Sequence, residues 1–112
     1  MELSMEKTGD VAVVKLPGDR LDAGNVDVVR QAVAAILEKH PKMALDMSQL
    51  EFVDSSALGV FIMCLRRAKA AGGDLKMFSM TKSVRVIFEL VRFHRIIDIF
   101  NDKEEAVKAF RS

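Results

Sequence analysis

The stretch Asp46-Met47-Ser48-Gln49-Leu50-Glu51-Phe52-Val53-Asp54-Ser55-Ser56-Ala57-Leu58-Gly59 decides the fold, because a short apolar strand ends in it and polar residues gather where a helix must begin. Just downstream, Leu58, Phe61, Ile62 and Leu65 recur at i, i+3, i+4 and i+7. That is the period of a helix with one buried face, so the turn before them is its N-terminus. Asp54, Ser55 and Ser56 are all residue types that cap orphan amides at such a place. A hydroxyl there sits near the positive end of the helix dipole, where a phosphate or another anion is tolerated, which makes Ser55 a candidate acceptor for a charge.

Working outward, Met43 to Met47 is a short apolar run between two helical patterns, which predicts a central strand in a partly parallel sheet. Upstream, Leu3 and Met5 alternate with Glu2, Ser4 and Glu6, then Thr8-Gly9-Asp10 turns the chain into Val11 to Leu16. The expectation is a hairpin whose second strand is the more deeply buried. Pro17-Gly18 stops it, and the loop Asp19 to Asp22 leads to a helix capped by Asp22 or Asn25, with Val26, Val29, Val33, Ile36 and Leu37 inward and an end near Lys39 before His40-Pro41. Downstream, the central helix fades into Gly72-Gly73, and Asp74 to Phe78 predicts another strand. Ser79 or Thr81 is placed to cap a third helix with Val84, Ile87, Phe88 and Val91 inward. Residues 96–100 form a short apolar segment, and Asp102 with Glu105 makes a capping box for a last helix with Ala106, Val107 and Phe110 inward.

The chain has 112 residues, one domain's worth, with half of them apolar and a formal net charge of +1. Near-balanced charge gives no field that recruits nucleic acid or an acidic membrane by charge alone. No apolar run reaches the length of a membrane span, and Met1 to Met5 carries glutamate where a secretory signal needs basic residues, so membrane insertion is not expected and a cytoplasmic location is. The single cysteine, Cys64, has no partner for an internal disulfide and no companions for a zinc site, which fits a reducing compartment. His40 and His94 are far apart and read as surface or helix-end residues, so neither a metal nor a cofactor is expected.

The central motif resembles the signature of the STAS domain, and within it the bacterial anti-sigma factor antagonists: Asp46, Ser48, Phe52 and then Asp54-Ser55-Ser56-Ala57-Leu58-Gly59. The likeness extends to Pro17-Gly18-Asp19-Arg20-Leu21-Asp22, which is similar to that family's loop before the first helix, and to Leu90 to Phe100, similar to its helix-end segment. It implies an α/β fold: one STAS-type domain over residues 1–112, a small mixed β-sheet covered by about four α-helices, lying on one side of it. It also implies a binding regulator and not an enzyme. The unmodified form would bind an anti-sigma factor that is also a serine kinase, phosphorylation of Ser55 would end that interaction, and a metal-dependent serine phosphatase would restore it. Ala57 stands where that family often has glycine.

From the residues alone Ser55 reads first as a plain helix cap, and it is the resemblance that makes it the phosphorylated serine, with Ser56 the second candidate acceptor. On a helical projection from Leu58 the outer face centres on Val60, Met63 and Arg67, bordered by Gly59, Cys64 and Arg66. Its apolar members are either ordinary surface residues or a contact patch with Ser55. Arg20 and Asp22 lie in a strand-end loop that the resemblance puts beside Ser55, and Asp54 either orients Ser55 or caps its helix. The expected partner surface is therefore Arg20, Asp22, Asp54, Ser56, Gly59, Val60, Met63 and Arg67, with no direct nucleic-acid contact. Val86, Leu90 and Phe93 form a second apolar row on the third helix, either wedged between helices or the face of a weak homodimer. Two other functions are open: the accessory STAS subunit of a lipid-transporting ATPase complex, and a hydrolase with Ser55 as nucleophile. The second lacks the Gly-x-Ser-x-Gly elbow, since Val53 and Ala57 take the glycine places.

Overall fold

The computed structural model describes residues 3–111. Glu2, expected at the edge of the first strand, lies outside them. At the centre is β4 (Lys42–Asp46), flanked by β2 (Val11–Lys15) and β6 (Asp74–Phe78), both parallel to it. The hairpin strand β1 (Ser4–Thr8) adds antiparallel to β2, and β7 (Asp98–Phe100) adds parallel to β6, giving the order β1-β2-β4-β6-β7. A second, two-stranded parallel sheet joins β3 (Arg20–Leu21) to β5 (Phe52–Val53). The helices are α1 (Val26–Lys39), α2 (Ser55–Ala70), α3 (Lys82–Leu90) and α4 (Lys103–Ala109), with a 3-10 turn at Phe93–Arg95.

Pleating divides the sheet into two faces. Val14, Met43, Leu45, Leu75 and Met77 point into the larger core with residues from α1, α2 and α3. Val11, Val13, Ala44 and Phe78 point the other way and pack on Ala106 and Val107 of α4. The mixed α/β fold is therefore as expected, but the helices do not share one side: α4 covers the opposite face. A strand that is apolar on both faces, as β4 is, needs cover on both.

Element ends follow local chemistry. Thr81 caps α3, its Oγ1 accepting from the Val84 amide at 3.3 Å while donating to the Leu50 carbonyl at 2.6 Å; Ser79 instead takes a left-handed conformation before the helix, φ 56°. Asp102 caps α4 through the Glu105 amide at 2.9 Å. At the end of α2, Gly72 is left-handed, φ 85°, and a Cβ on Gly73 would overlap the Pro41 carbonyl oxygen, so the two glycines serve different needs. Asn25 sits at the start of α1 without capping it: its side chain accepts from the Asp22 amide and donates to the Arg20 carbonyl, both within 2.9 Å, and so braces the preceding loop.

The third helix departs most from expectation. Val84 and Phe88 are buried, and Phe88 meets Phe93 edge to face at 4.9 Å, a contact worth about 0.5–1.5 kcal/mol beyond area burial. Val91, expected inward, is exposed, and Val86 and Leu90 are not wedged between helices but face out. A nine-residue helix packed along one stripe has nothing to cover its other side.

Candidate functional site

The site is built where the small β3–β5 sheet delivers the chain into α2. Period-two alternation turns Val53 into the core and leaves Phe52 outward, 39 % exposed. Parallel register sets Arg20 opposite Phe52, and the Arg20 guanidinium lies 4.9 Å from the centre of the Phe52 ring, a cation–π distance. Arg20 Nε also donates to Asp22 Oδ2 at 3.1 Å. Asp22 uses its other oxygen to accept from the Gly24 amide at 2.9 Å. Loop and strand thus form one braced platform carrying a positive group over an aromatic ring.

Asp54 is the cap of α2, in extended backbone, with its carboxylate shared between two elements. Oδ1 accepts from the Ala57 amide at 3.1 Å and from Ser56 Oγ at 2.5 Å, and Oδ2 accepts from the Ala23 amide at 3.1 Å. The Ser56 hydroxyl does most to hold the Asp54 carboxyl below the usual aspartate range; desolvation is the next effect and opposes it, and the backbone amides of Ala57, Ala23 and Ser56 add to the lowering. Ser55 is therefore not the cap. It is the first residue of the helix, exposed, and its hydroxyl makes no hydrogen bond among the described residues, whereas that of Ser56 is half-buried and committed to Asp54.

Along α2, Ser55, Gly59 and Met63 follow one another at spacing four and all are exposed, with Arg66 and Arg67 beyond them. Met63 is 45 % exposed, and a Cβ on Gly59 would meet nothing within 4 Å, so the helix surface there is open. Val60 does not belong to this patch. It is 7 % exposed, and Cys64, expected at the border, is 4 % exposed with Arg30 of α1 among the charges acting on it. The helix packs on α1 as well as on the sheet, so its buried stripe runs through Ala57, Val60, Phe61, Cys64, Leu65 and Ala68. Leu58 and Ile62 are only half-buried. At 100° per residue the buried face is turned by roughly 80° from the one expected from the large apolar residues.

Of the expected residues, the structure brings Arg20, Asp22, Asp54 and Ser56 into one bonded corner with Ser55 unbonded beside it, continues them with Gly59, Met63 and Arg67 on the exposed helix face, and removes Val60. Phe52, read only as part of a motif, joins the corner as the ring beneath Arg20. Its signal was available: with Val53 inward, a neighbouring aromatic must face out. Asp46 ends β4 and accepts from the Ser48 amide at 2.9 Å, an Asx turn that shapes the approach to β5. Among the described residues, no group of three or more His, Cys, Asp or Glu side chains is placed to hold a metal ion.

The STAS domain family profile matches residues 2–106. The chain is similar to the anti-sigma-B factor antagonist of Bacillus subtilis, 25% identical over 95 residues, covering 85% of this chain and 86% of that protein. The fold is similar to the crystal structure of an anti-sigma factor antagonist from Mycobacterium paratuberculosis, with TM-score 0.87 at 19% identity over 99% of this chain and 94% of that one. It is also similar to the Bacillus anti-sigma factor antagonist SpoIIAA in its unphosphorylated form, with TM-score 0.79 at 21% identity over 98% and 96% of the two chains. That protein has been solved in a phosphorylated form too, with TM-score 0.69 and 22% identity over 96% of this chain and 98% of that one.

Proposed function

The chain belongs to the STAS domain family, and from that premise we propose that it is an anti-sigma factor antagonist switched by phosphorylation of Ser55. Residues 1–112 act as one STAS domain in the cytoplasm. In the unmodified state Arg20, Asp22, Gly59, Met63 and Arg67 dock on an anti-sigma factor that is also a serine kinase, and the sigma factor is released. Asp54 and Ser56 hold the corner in shape for that contact. The kinase passes the γ-phosphoryl group of ATP to Ser55 Oγ, with loss of the hydroxyl proton and departure of ADP. A serine phosphatase hydrolyses the phosphoester and resets the switch. The chain is the substrate of both enzymes.

The observation that carries this reading is the contrast between two adjacent serines: Ser55 Oγ is exposed with no hydrogen-bond partner among the described residues, and Ser56 Oγ is bonded to the capping carboxylate. A phosphate on Ser55 adds a charge of roughly −1.5 to −2 at the positive end of α2. The free protein tolerates that charge at a helix N-terminus. A docked partner that covers Met63 and Gly59 would have to bury it, and an unpaired buried charge costs several kcal/mol. Modification therefore acts on the complex and leaves the fold intact. Support also comes from the names of the similar proteins, which are antagonists of anti-sigma factors, and from the phosphorylated form known for SpoIIAA.

The test is incubation of the purified chain with the serine kinase encoded in its own genome and ATP, followed by intact mass and peptide mapping. One added phosphate on Ser55, absent from Ser55→Ala, is the expected result. Equal phosphorylation of Ser55→Ala, or none of the wild type despite a stable complex, defeats the proposal.

A further inference from the structure

Between Lys82 and Ile96 the molecule leaves apolar side chains uncovered in a cluster. Leu90 is 78 % exposed, and Val86, Val91 and Ile96 are each about half exposed. Val86 and Leu90 share one face of α3 at i, i+4, Val91 follows at the helix end, and Ile96 lies just past the 3-10 turn that packs on α3. Single surface aliphatics need no explanation, but a contiguous group on one short segment does.

Charge is concentrated at the same place. The segment carries Lys82, Arg85, Arg92 and Arg95 against Glu89 alone, a net +3 in a chain whose total is +1, so the remainder is net negative. None of those four cations has an ion-pair partner among the described residues; the same holds for Arg66 and Arg67 on α2, so what sets the four apart is their place on the segment that carries the exposed apolar cluster. Arg92 is left-handed, φ 59° and ψ 29°, a strained conformation for a side chain with a Cβ, and its neighbour Phe93 is locked in the core against Phe88.

We propose that this turn is a peripheral docking surface for the anionic headgroup face of a lipid bilayer, with Leu90 and Val91 entering the interface and Arg92 and Arg95 meeting the headgroups. Apolar side chains ringed by unpaired cations are the pattern that anionic membrane surfaces select. Exposure points the same way: a side chain that stands 78 % clear of its own protein needs a matching pocket in a protein partner, but a bilayer deforms around it. A second copy is disfavoured, because a two-fold contact would press one basic cluster against another. No helix among the described residues is long and apolar enough to cross a membrane, so the contact is with the surface. The proposal does not rest on the sigma-factor reading, because the surface lies on different elements from Ser55.

The experiment is co-sedimentation of the full chain with phosphatidylcholine vesicles, with and without about a third phosphatidylglycerol, at low and at 0.5 M salt. Binding should require phosphatidylglycerol and fall with salt. Leu90→Ser, which removes apolar area without adding charge, should weaken it about tenfold, and Arg92→Ala or Arg95→Ala about fivefold each. Val28→Ser, at a valine on α1 as exposed as Val91, should change nothing. Circular dichroism melts of every variant exclude unfolding as the cause, and Val91→Ser replaces Leu90→Ser if the latter is unstable. Absence of sedimentation with the anionic vesicles at low salt overturns the proposal. So does binding that the Leu90 and arginine variants leave unaltered, or capture of the patch by a soluble acidic protein without vesicle binding.

Discussion

The carboxylate of Asp54 accepts the backbone amide of Ala23, 31 residues earlier in the chain, at 3.1 Å, while its other oxygen caps α2 through Ala57. One side chain therefore fixes the loop carrying Arg20 and Asp22 relative to the helix carrying Ser55. Removing it should loosen both at once. Asp54→Ala is expected to destabilise the fold, as lost caps do, and to lower the melting temperature by several degrees. Ser55→Ala, which removes no hydrogen bond, should melt within about 0.5 kcal/mol of wild type. Thermal denaturation followed by circular dichroism compares the two directly.

Acid should act through the same group. The Asp54 carboxyl titrates below its ordinary value in the folded protein, chiefly because Ser56 donates to it. Its contribution is thus fully present above the unfolded aspartate value, near 3.8, and disappears as pH falls through the depressed folded value. Urea midpoints measured from pH 6 down to 2.5 should fall more steeply in wild type than in Asp54→Asn. Parallel curves would show that the carboxylate is not coupled to folding.

Two residues three positions apart on α2 should behave in opposite ways. Val60→Glu buries a charge in the core and should unfold the protein or cost at least about 3 kcal/mol. Met63→Glu lies on the open face, should leave the melt nearly unchanged, and should abolish binding to the anti-sigma factor in a titration by calorimetry. A normal isotherm for Met63→Glu would remove this face from the partner surface.

Gly59 offers a cleaner separation of stability from binding. Alanine meets nothing there, so Gly59→Ala should stabilise α2 by roughly 0.5–1 kcal/mol. If the partner's backbone approaches the helix at this point, the same methyl should weaken binding at least severalfold. A variant that is both more stable and equally tight in binding would place the partner elsewhere.

Much of this molecule was legible without coordinates where the signal is local. The order and type of the main elements followed from hydrophobic period, the caps at Thr81 and Asp102 from hydroxyl and carboxylate positions, and the end of α2 from Gly72-Gly73. The corner at Asp54-Ser55-Ser56 was also marked, since a strand end, three capping residue types and a helix start fall within a few positions. In each case neighbours along the chain supply the interaction.

What needed the tertiary structure is whatever depends on cover from distant segments. Val60 is inside where α2 packs on α1, and Leu90 is outside because no described element covers it; an apolar helix position by itself does not tell the two apart. Small residues such as Ala57 and Ala68, silent in a pattern of large apolar side chains, mark the close approach that turns α2. The pairing of β3 with β5, the placement of α4 on the far face, and the reach of Asp54 to Ala23 all join residues tens of positions apart. Local propensity selects the elements, but burial is a property of the assembled pair of surfaces, and only packing decides which side of an element faces water.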